Sequence, residues 1–276
     1  MTKKSVLITG AAGGLGHAAV ARLQARGWKI FAADIDMDLL RSSAHAPEVT
    51  PVVMDVTNRE SIEGARGAVT SQTDGLDGIV NFAGIMGVGS LTDMPEERLA
   101  RIIDINVMGT YRVNKAFFPL VEAARGRIVN ISSETGWQSA APFNGPYAMS
   151  KHAIEAYSDA LRRELALLGV KVIKIQPGPF KTDMVRGIES AFDQAAGETE
   201  NFAKVIRAFK KLAGKTWSSA HDPDILAQVV EKVLTTKSPK PTYSVKPDPL
   251  RSALERLPVR AIDKVYLTLL RQANKA

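Results

Sequence analysis

Ser5-Val-Leu-Ile-Thr9-Gly10-Ala-Ala-Gly13-Gly14-Leu15-Gly16 is the stretch that decides the fold. Ser5 to Thr9 is a short apolar, β-rich run and reads as a buried strand. The glycines follow at once. Leu15 to Gln24 then reads as a helix closed by Gly27, a residue suited to the left-handed cap. Glycines at a strand-to-helix turn let the backbone approach a ligand closely, and the helix N-terminus offers free N–H groups and the positive end of its dipole. Strand, glycine turn and helix in that order predict a pyrophosphate site, with Gly10, Gly13, Gly14, Leu15 and Gly16 around it.

Lys29-Ile-Phe-Ala-Ala-Asp34 reads as the second strand, with Asp34 at its carboxyl end, 24 residues after Gly10. A carboxylate there accepts hydrogen bonds from the adenosine ribose hydroxyls and repels a 2′-phosphate. Ile35 and Asp36 follow it, and Gly13 rather than a basic residue precedes Gly14, so NAD is expected over NADP. Further on, Pro146-Tyr-Ala-Met-Ser-Lys151 places Tyr147 and Lys151 four apart, on one helix face. An ammonium beside a phenol favours the phenolate and lowers a pKa that starts near ~10. A phenol so poised can exchange a proton with an alcohol or carbonyl oxygen.

Strand-like runs continue at Val49–Asp55, Gly78–Asn81, Arg127–Ser132, Lys171–Gln176 and Thr242–Val245. Helical stretches at 61–69, 96–105, 109–124 and 150–168 lie between them. The alternation predicts an α/β chain with a single-domain, Rossmann-type, doubly wound parallel sheet of about seven strands, helices on both faces, and a helical C-terminal extension. The expected division is a dinucleotide-binding and catalytic unit over 1–247, with an amphipathic extension over 248–276.

With these residues in view, the chain resembles the short-chain dehydrogenase/reductase family. Thr9-Gly-x-x-x-Gly14-x-Gly16 has that family's form of the fingerprint, and several further matches follow in order to about residue 182. The resemblance implies that Asp55 and Val56 meet the adenine. Asn81, Ala83 and Gly84 would form the cofactor turn, in which Phe82 replaces a second Asn. Asn106 would relay protons, Ser133 would hold the substrate oxygen, and Pro177, Gly178 and Thr182 would face the cofactor. Ser133 lies 14 residues before Tyr147, slightly more than the family pattern, and Ser132 is its neighbouring alternative. The expected activity is hydride transfer between a nicotinamide dinucleotide and an alcohol or ketone. In it Tyr147 is the acid/base, and Lys151 binds the nicotinamide ribose and tunes Tyr147. The other reading is a nucleotide-binding protein, regulatory or membrane-peripheral, that kept the fold and lost the chemistry.

The resemblance also implies a lid over about 182–219, rich here in Met184, Ile188, Phe192, Phe202, Val205, Phe209 and Trp217. With Trp137, Phe143 and Phe180 these predict an apolar pocket for a bulky hydrophobic alcohol or ketone, such as a steroid, retinoid or aromatic alcohol. The runs Asp222-Pro-Asp-Ile-Leu-Ala-Gln-Val-Val and Lys240-Pro-Thr-Tyr243 resemble the hydroxysteroid and retinol dehydrogenase branch. Family members pair through helices like those at 109–124 and 150–168, so a homodimer or homotetramer is expected.

Composition narrows the remaining classes. The 276 residues are 45% hydrophobic, enough for one large core. Cysteine is absent and the four histidines lack ligand spacing, so no metal is expected. The net charge of +7 is spread along the chain without aromatic interleaving, which argues for a solvated basic surface and against nucleic acid. Strand 1 begins within a few residues of Met1 and no apolar run reaches membrane-span length, so the expected location is cytoplasmic. In Leu250 to Gln272, leucines at near-helical spacing alternate with Arg251, Arg256, Arg260, Lys264 and Arg271, and Pro258 splits the stretch. Such a segment fits peripheral membrane contact, a cover for the pocket, or packing against a partner.

Overall fold

The computed structural model describes residues 3–43, 47–182, 187–218 and 220–275. Seven parallel strands form one sheet in the order β3-β2-β1-β4-β5-β6-β7. They are β1 (Ser5–Thr9), β2 (Lys29–Asp34), β3 (Val49–Val53), β4 (Gly78–Asn81), β5 (Arg127–Ile131), β6 (Lys171–Pro177) and β7 (Thr242–Val245). Leu7 is paired with Phe31 on one side and Ile79 on the other, which places β1 inside the sheet, next to the middle strand β4. Side-chain alternation along β1 sends Val6 and Ile8 to one face and Leu7 to the other. The first face packs α1 (Gly14–Ala25) and α9 (Pro223–Thr235) through Leu23, Leu226 and Val230. The second packs α3 (Arg59–Thr70), α5 (Thr110–Ala123) and α6 (Gly145–Leu165) through Ile62, Val113, Phe117 and Leu165. Both faces are therefore dry, and this explains why the strands read as near-continuous apolar runs. The sheet order reverses between β1 and β4, so a crevice opens beyond their carboxyl ends.

Three elements depart from expectation. The helices read at 96–105 and 109–124 are joined. The α4 helix (Glu96–Ile103) runs through a π-helical turn, Asp104–Gly109, straight into α5. Gly109 is buried within that turn and does not break the helix. The α6 helix starts at Gly145, earlier than read, because Pro146 occupies the first turn, where its missing N–H costs nothing. Tyr147 therefore lies in the opening turn and Lys151 one turn further in. The chain between β3 and α3 is looped at Asp55, so the strand is shorter than read.

After β6 come α7 (Ile188–Gly197) and α8 (Ala203–Ser218), then α9 and β7. Pro258 separates α10 (Pro249–Leu254) from α11 (Val259–Lys275), and α11 packs against α8. Asp248 caps α10, its Oδ1 accepting from the N–H groups of Leu250 (2.8 Å) and Arg251 (3.0 Å). Among the described residues no helix is long and apolar enough to cross a membrane. The short α2 helix (Met37–Ser43) completes the set.

Candidate active site

A single cavity of about 1480 Å³ occupies the crevice and extends beneath α7, α10 and α11. Gly10, Gly13, Gly14, Leu15 and Gly16 form its floor at one end. Gly10 has φ +64, and a Cβ there would stand 2.8 Å from Ala83 N; a Cβ on Gly16 would stand 2.1 Å from Gly10 O. No side chain fits at either point, and this brings the backbone within reach of a ligand. The first turn of α1 has no acidic residue and no side-chain cap, so its N–H groups remain available to an anion. Asp34 is fixed by backbone donors: Ala12 N–H to Oδ2 at 3.0 Å and Ile35 N–H to Oδ1 at 2.8 Å. It borders the same cavity, as do Asp55, Val56, Ala83, Gly84, Pro177, Gly178 and Thr182. Asp55 Oδ1 accepts from the N–H (2.8 Å) and Oγ1 (2.7 Å) of Thr57. A stripped backbone, free helix N–H groups and an acceptor 24 residues on fit a dinucleotide.

Ser133, Tyr147 and Lys151 line the cavity beyond that cradle, and all three are buried. The Ser133 hydroxyl lies near enough to Tyr147 to favour its ionised form, and its Oγ accepts from the Thr135 N–H at 3.2 Å. Ser132 also borders the cavity, but its Oγ is buried without a partner, so Ser133 is the serine that engages Tyr147. Lys151 Nζ donates to the Ile131 carbonyl at 3.0 Å and lies 5.5 Å from the centre of the Tyr147 ring. The electrostatics correct the expectation of a phenol drawn toward neutrality. Burial pushes Tyr147 up to about 12; the Ser133 hydroxyl pulls down and the Glu134 charge pushes up further. Burial pushes Lys151 down to about 8, against the pull of the Glu155 carboxylate. Desolvation prevails because the ammonium is turned to a backbone carbonyl.

Three expected site residues lie elsewhere. Asn81 is not in the cavity wall. Its Nδ2 donates to Asn114 Oδ1 (2.8 Å) and Asn130 Oδ1 (2.9 Å) in a buried network that continues from Asn114 to Tyr157 and from Asn130 to Ser158. Strand alternation turns it toward α5 and α6, whereas Phe82, Ala83 and Gly84 reach the cavity. The Asn106 side chain is also outside the wall. It accepts from Ile85 N–H (2.8 Å) and donates to Ile85 O and Ser150 Oγ (2.9 Å each), and so ties the π-helical turn to α6. Trp137 ends the 3₁₀ turn Glu134–Gly136 and points outward, 38% exposed. Met184 lies outside the described residues, as does the side chain of Trp217.

Phe143 and Phe180 do border the cavity. Phe143 has φ +64, and its ring meets Phe202 (5.8 Å) and Phe209 (5.7 Å), joining the loop before Tyr147 to α8. Phe180 is chiefly a core residue, tilted against His221. Ile188, Phe192 and Phe209 complete the lid side. Sequence reasoning missed Glu134, which borders the cavity and whose carboxyl pKa is raised above the ordinary range by burial. An acid directly after the site serine was the available signal. Leu250, Leu254, Tyr266 and Leu269 from the C-terminal segment also line the cavity. No cluster of potential metal ligands occurs among the described residues.

A doubly wound sheet with a dinucleotide cradle and an adjoining Ser-Tyr-Lys group defines an oxidoreductase of the nicotinamide-dependent class. The profile of the short chain dehydrogenase family matches residues 4–192, and the chain belongs to that family. It is 35% identical to Retinol dehydrogenase 16 of Rattus norvegicus over 258 residues, covering 87% of this chain and 80% of that protein. It is 35% identical to the mitochondrial D-beta-hydroxybutyrate dehydrogenase of Mus musculus over 191 residues, covering 64% and 54% of the two chains. Among solved structures it superposes on a short-chain dehydrogenase from Streptomyces avermitilis with TM-score 0.78 and 24% identity, covering 99% and 98% of the chains. The resemblance to the retinol dehydrogenase branch is carried by the first of these relatives.

Proposed function

We propose that the protein is an NAD-dependent alcohol dehydrogenase or ketoreductase acting on a bulky hydrophobic alcohol or its carbonyl partner. The observation that carries this reading is the placement of Ser133, Tyr147 and Lys151 in one cavity with the Gly10–Gly16 cradle and Asp34. A nicotinamide dinucleotide bound there supplies or accepts the hydride. Gly10 to Gly16 hold its pyrophosphate, and Asp34 takes the ribose hydroxyls and disfavours a 2′-phosphate. Tyr147 carries the proton to a carbonyl oxygen, or removes it from a hydroxyl in the reverse direction. Ser133 holds the same oxygen and stabilises charge that grows on it. Lys151 orients the ribose and keeps positive charge near Tyr147. Asn106 acts by position, fixing Ile85 and Ser150 around the site.

The apolar side chains Ile188, Phe192, Phe209, Leu254 and Leu269 support a hydrophobic substrate, for which the retinol-type relative is a guide. The test is a panel of steroid, retinoid, aliphatic and aromatic alcohols crossed with NAD and NADP. Tyr147→Phe is expected to lower kcat by about a hundred- to ten-thousandfold while dinucleotide affinity stays within a few-fold. Unchanged turnover would sink the assignment. Asp34→Asn is expected to reduce the NAD-over-NADP preference in kcat/KM at least about tenfold, and a wild type that prefers NADP overturns the cofactor reading.

A second reading applies to the surface. Leu250 (79% exposed) and Val259 (69% exposed) stand among Arg256, Arg260 and Lys264 on the C-terminal segment. That combination supports peripheral contact with an anionic membrane by an otherwise cytoplasmic protein. Exposed Tyr111 on α5 and Met149 on α6 are where the expected homodimer or homotetramer would form.

A further inference from the structure

The cavity has one wall that neither the strands nor the lid supplies. Past β7 the chain turns at Lys246, whose φ is +54, and its carbonyl presses on Gly178, where a Cβ would lie 2.0 Å from Lys246 O. Residues 248–255 then run along the segment that follows β5. The Asp248 N–H donates to Glu134 Oε2 at 2.6 Å. The N–H and Oγ of Ser139 donate to the two carboxylate oxygens of Glu255, each at 2.9 Å, and Arg251 donates to the Ser139 carbonyl at 3.3 Å. Beyond Pro258, α11 lies against α8. The segment is thus held to the cofactor-facing loop, to the catalytic loop and to the lid. Its first latch, Glu134, is the neighbour of Ser133 and itself borders the cavity.

We propose that residues 248–269 form the far wall of the substrate cavity and set the length of alcohol accepted. Leu254 and Leu269 are the selectivity-determining side chains, and Glu134 and Glu255 are the latches that hold the wall in place. The proposal rests on the oxidoreductase reading for its substrate class. At about 1480 Å³ the cavity exceeds what one small ligand fills, typically about 300–1,000 Å³. With a dinucleotide at the Gly10–Asp34 end, the space toward Leu254 and Leu269 takes the tail of the second ligand. Each methylene buried against that wall adds about fourfold in affinity, so the wall's position discriminates by chain length. Latches built from carboxyl oxygens that accept backbone and hydroxyl hydrogen bonds fix the wall's position, which non-directional apolar contact alone does not.

The experiment uses the full chain with NAD present and two probes: isopropanol and a secondary alcohol of a dozen carbons. Leu254→Trp and Leu269→Trp, made separately, fill the far end. Each is expected to weaken calorimetric binding of the long alcohol at least about tenfold. The long-to-short ratio of kcat/KM should fall in parallel. Glu255→Ala releases a latch remote from the chemistry and raises KM for the long alcohol more than for isopropanol. Long-alcohol binding within about twofold of wild type in both Trp variants overturns the wall, as does a wild type that fails to bind the long alcohol. A wild type that binds the long alcohol without turning it over sinks the oxidoreductase reading instead. Weakened binding in the Trp variants would then still support the wall.

Discussion

Tyr147 and Lys151 lie side by side, yet burial moves them in opposite directions, to about 12 and about 8. As the site stands, Tyr147 is a phenol at neutral pH and so a proton donor. Reduction of a carbonyl uses that proton directly, whereas oxidation requires Tyr147 to lose it first. The expected result is that kcat/KM for oxidation rises with pH between 6 and 9 on the order of tenfold or more. Reduction should be level below about 8 and fall above it, as Lys151 loses its charge. Steady-state rates in both directions check this, and an oxidation rate that ignores pH refutes it. At this scale the sequence was readable wherever a spacing carries the chemistry. Tyr147 and Lys151 four apart, and Gly10 to Gly16 between strand and helix, announce themselves. The direction of the Tyr147 shift did not, since it depends on where the ammonium points and how much water the fold removes.

Among the elements, β4, β5, α5 and α6 are bound to one another by polar side chains inside the core. Asn81, Asn114, Asn130, Ser158 and Tyr157 form a buried network in which each Asn reaches a different element. Removing a member strands its partners away from water, which costs about 1–3 kcal/mol per unsatisfied group. Asn81→Ala leaves Asn114 Oδ1 without its donor while Asn130 Oδ1 keeps Asn114 Nδ2, so it is expected to destabilise the fold by about 1–3 kcal/mol, read by chemical denaturation. A loss below about 0.5 kcal/mol would mean that the network is not structural. Asn81 has its expected place at the cofactor from the resemblance of Asn81-Phe-Ala-Gly84 to the family's Asn-Asn-Ala-Gly turn, of which Ala83 and Gly84 do reach the cavity. Asn81 still belongs to β4, inside the core, whereas Ala83 and Gly84 lie beyond the strand's end. The join of α4 to α5 is not legible either: residues 106–108 lie between the two helices expected from sequence, and the π-helical turn Asp104–Gly109 carries the backbone through them without a break.

Across the whole molecule, the strand–helix alternation was legible from periodicity alone, and the seven-stranded sheet follows it. The C-terminal segment was legible only as amphipathic. Its pattern gives an apolar stripe without saying what covers it; the fold turns Leu254 and Leu269 to the cavity, sets Leu250 at the cavity rim with most of its surface in solvent, and leaves Val259 exposed. For the outward face, the protein is expected to co-sediment with vesicles rich in anionic lipid and to be released by salt. Arg256→Glu with Arg260→Glu should lower the bound fraction at least about tenfold, as each basic residue near such a surface contributes about 1 kcal/mol. Equal pelleting with neutral vesicles and with the double variant would exclude the electrostatic contact. The position of β1 has a consequence of another kind. It comes first among the sheet's strands in chain order and lies inside the sheet, but its second neighbour, β4, begins only at Gly78. A growing chain on the ribosome therefore carries β1 as an open edge until some seventy further residues have emerged, and Thr182, which closes over Gly14, arrives a hundred residues later still. The nucleotide cradle is begun first and completed late, so a dinucleotide is expected to protect the finished chain and give little help to its first half during synthesis.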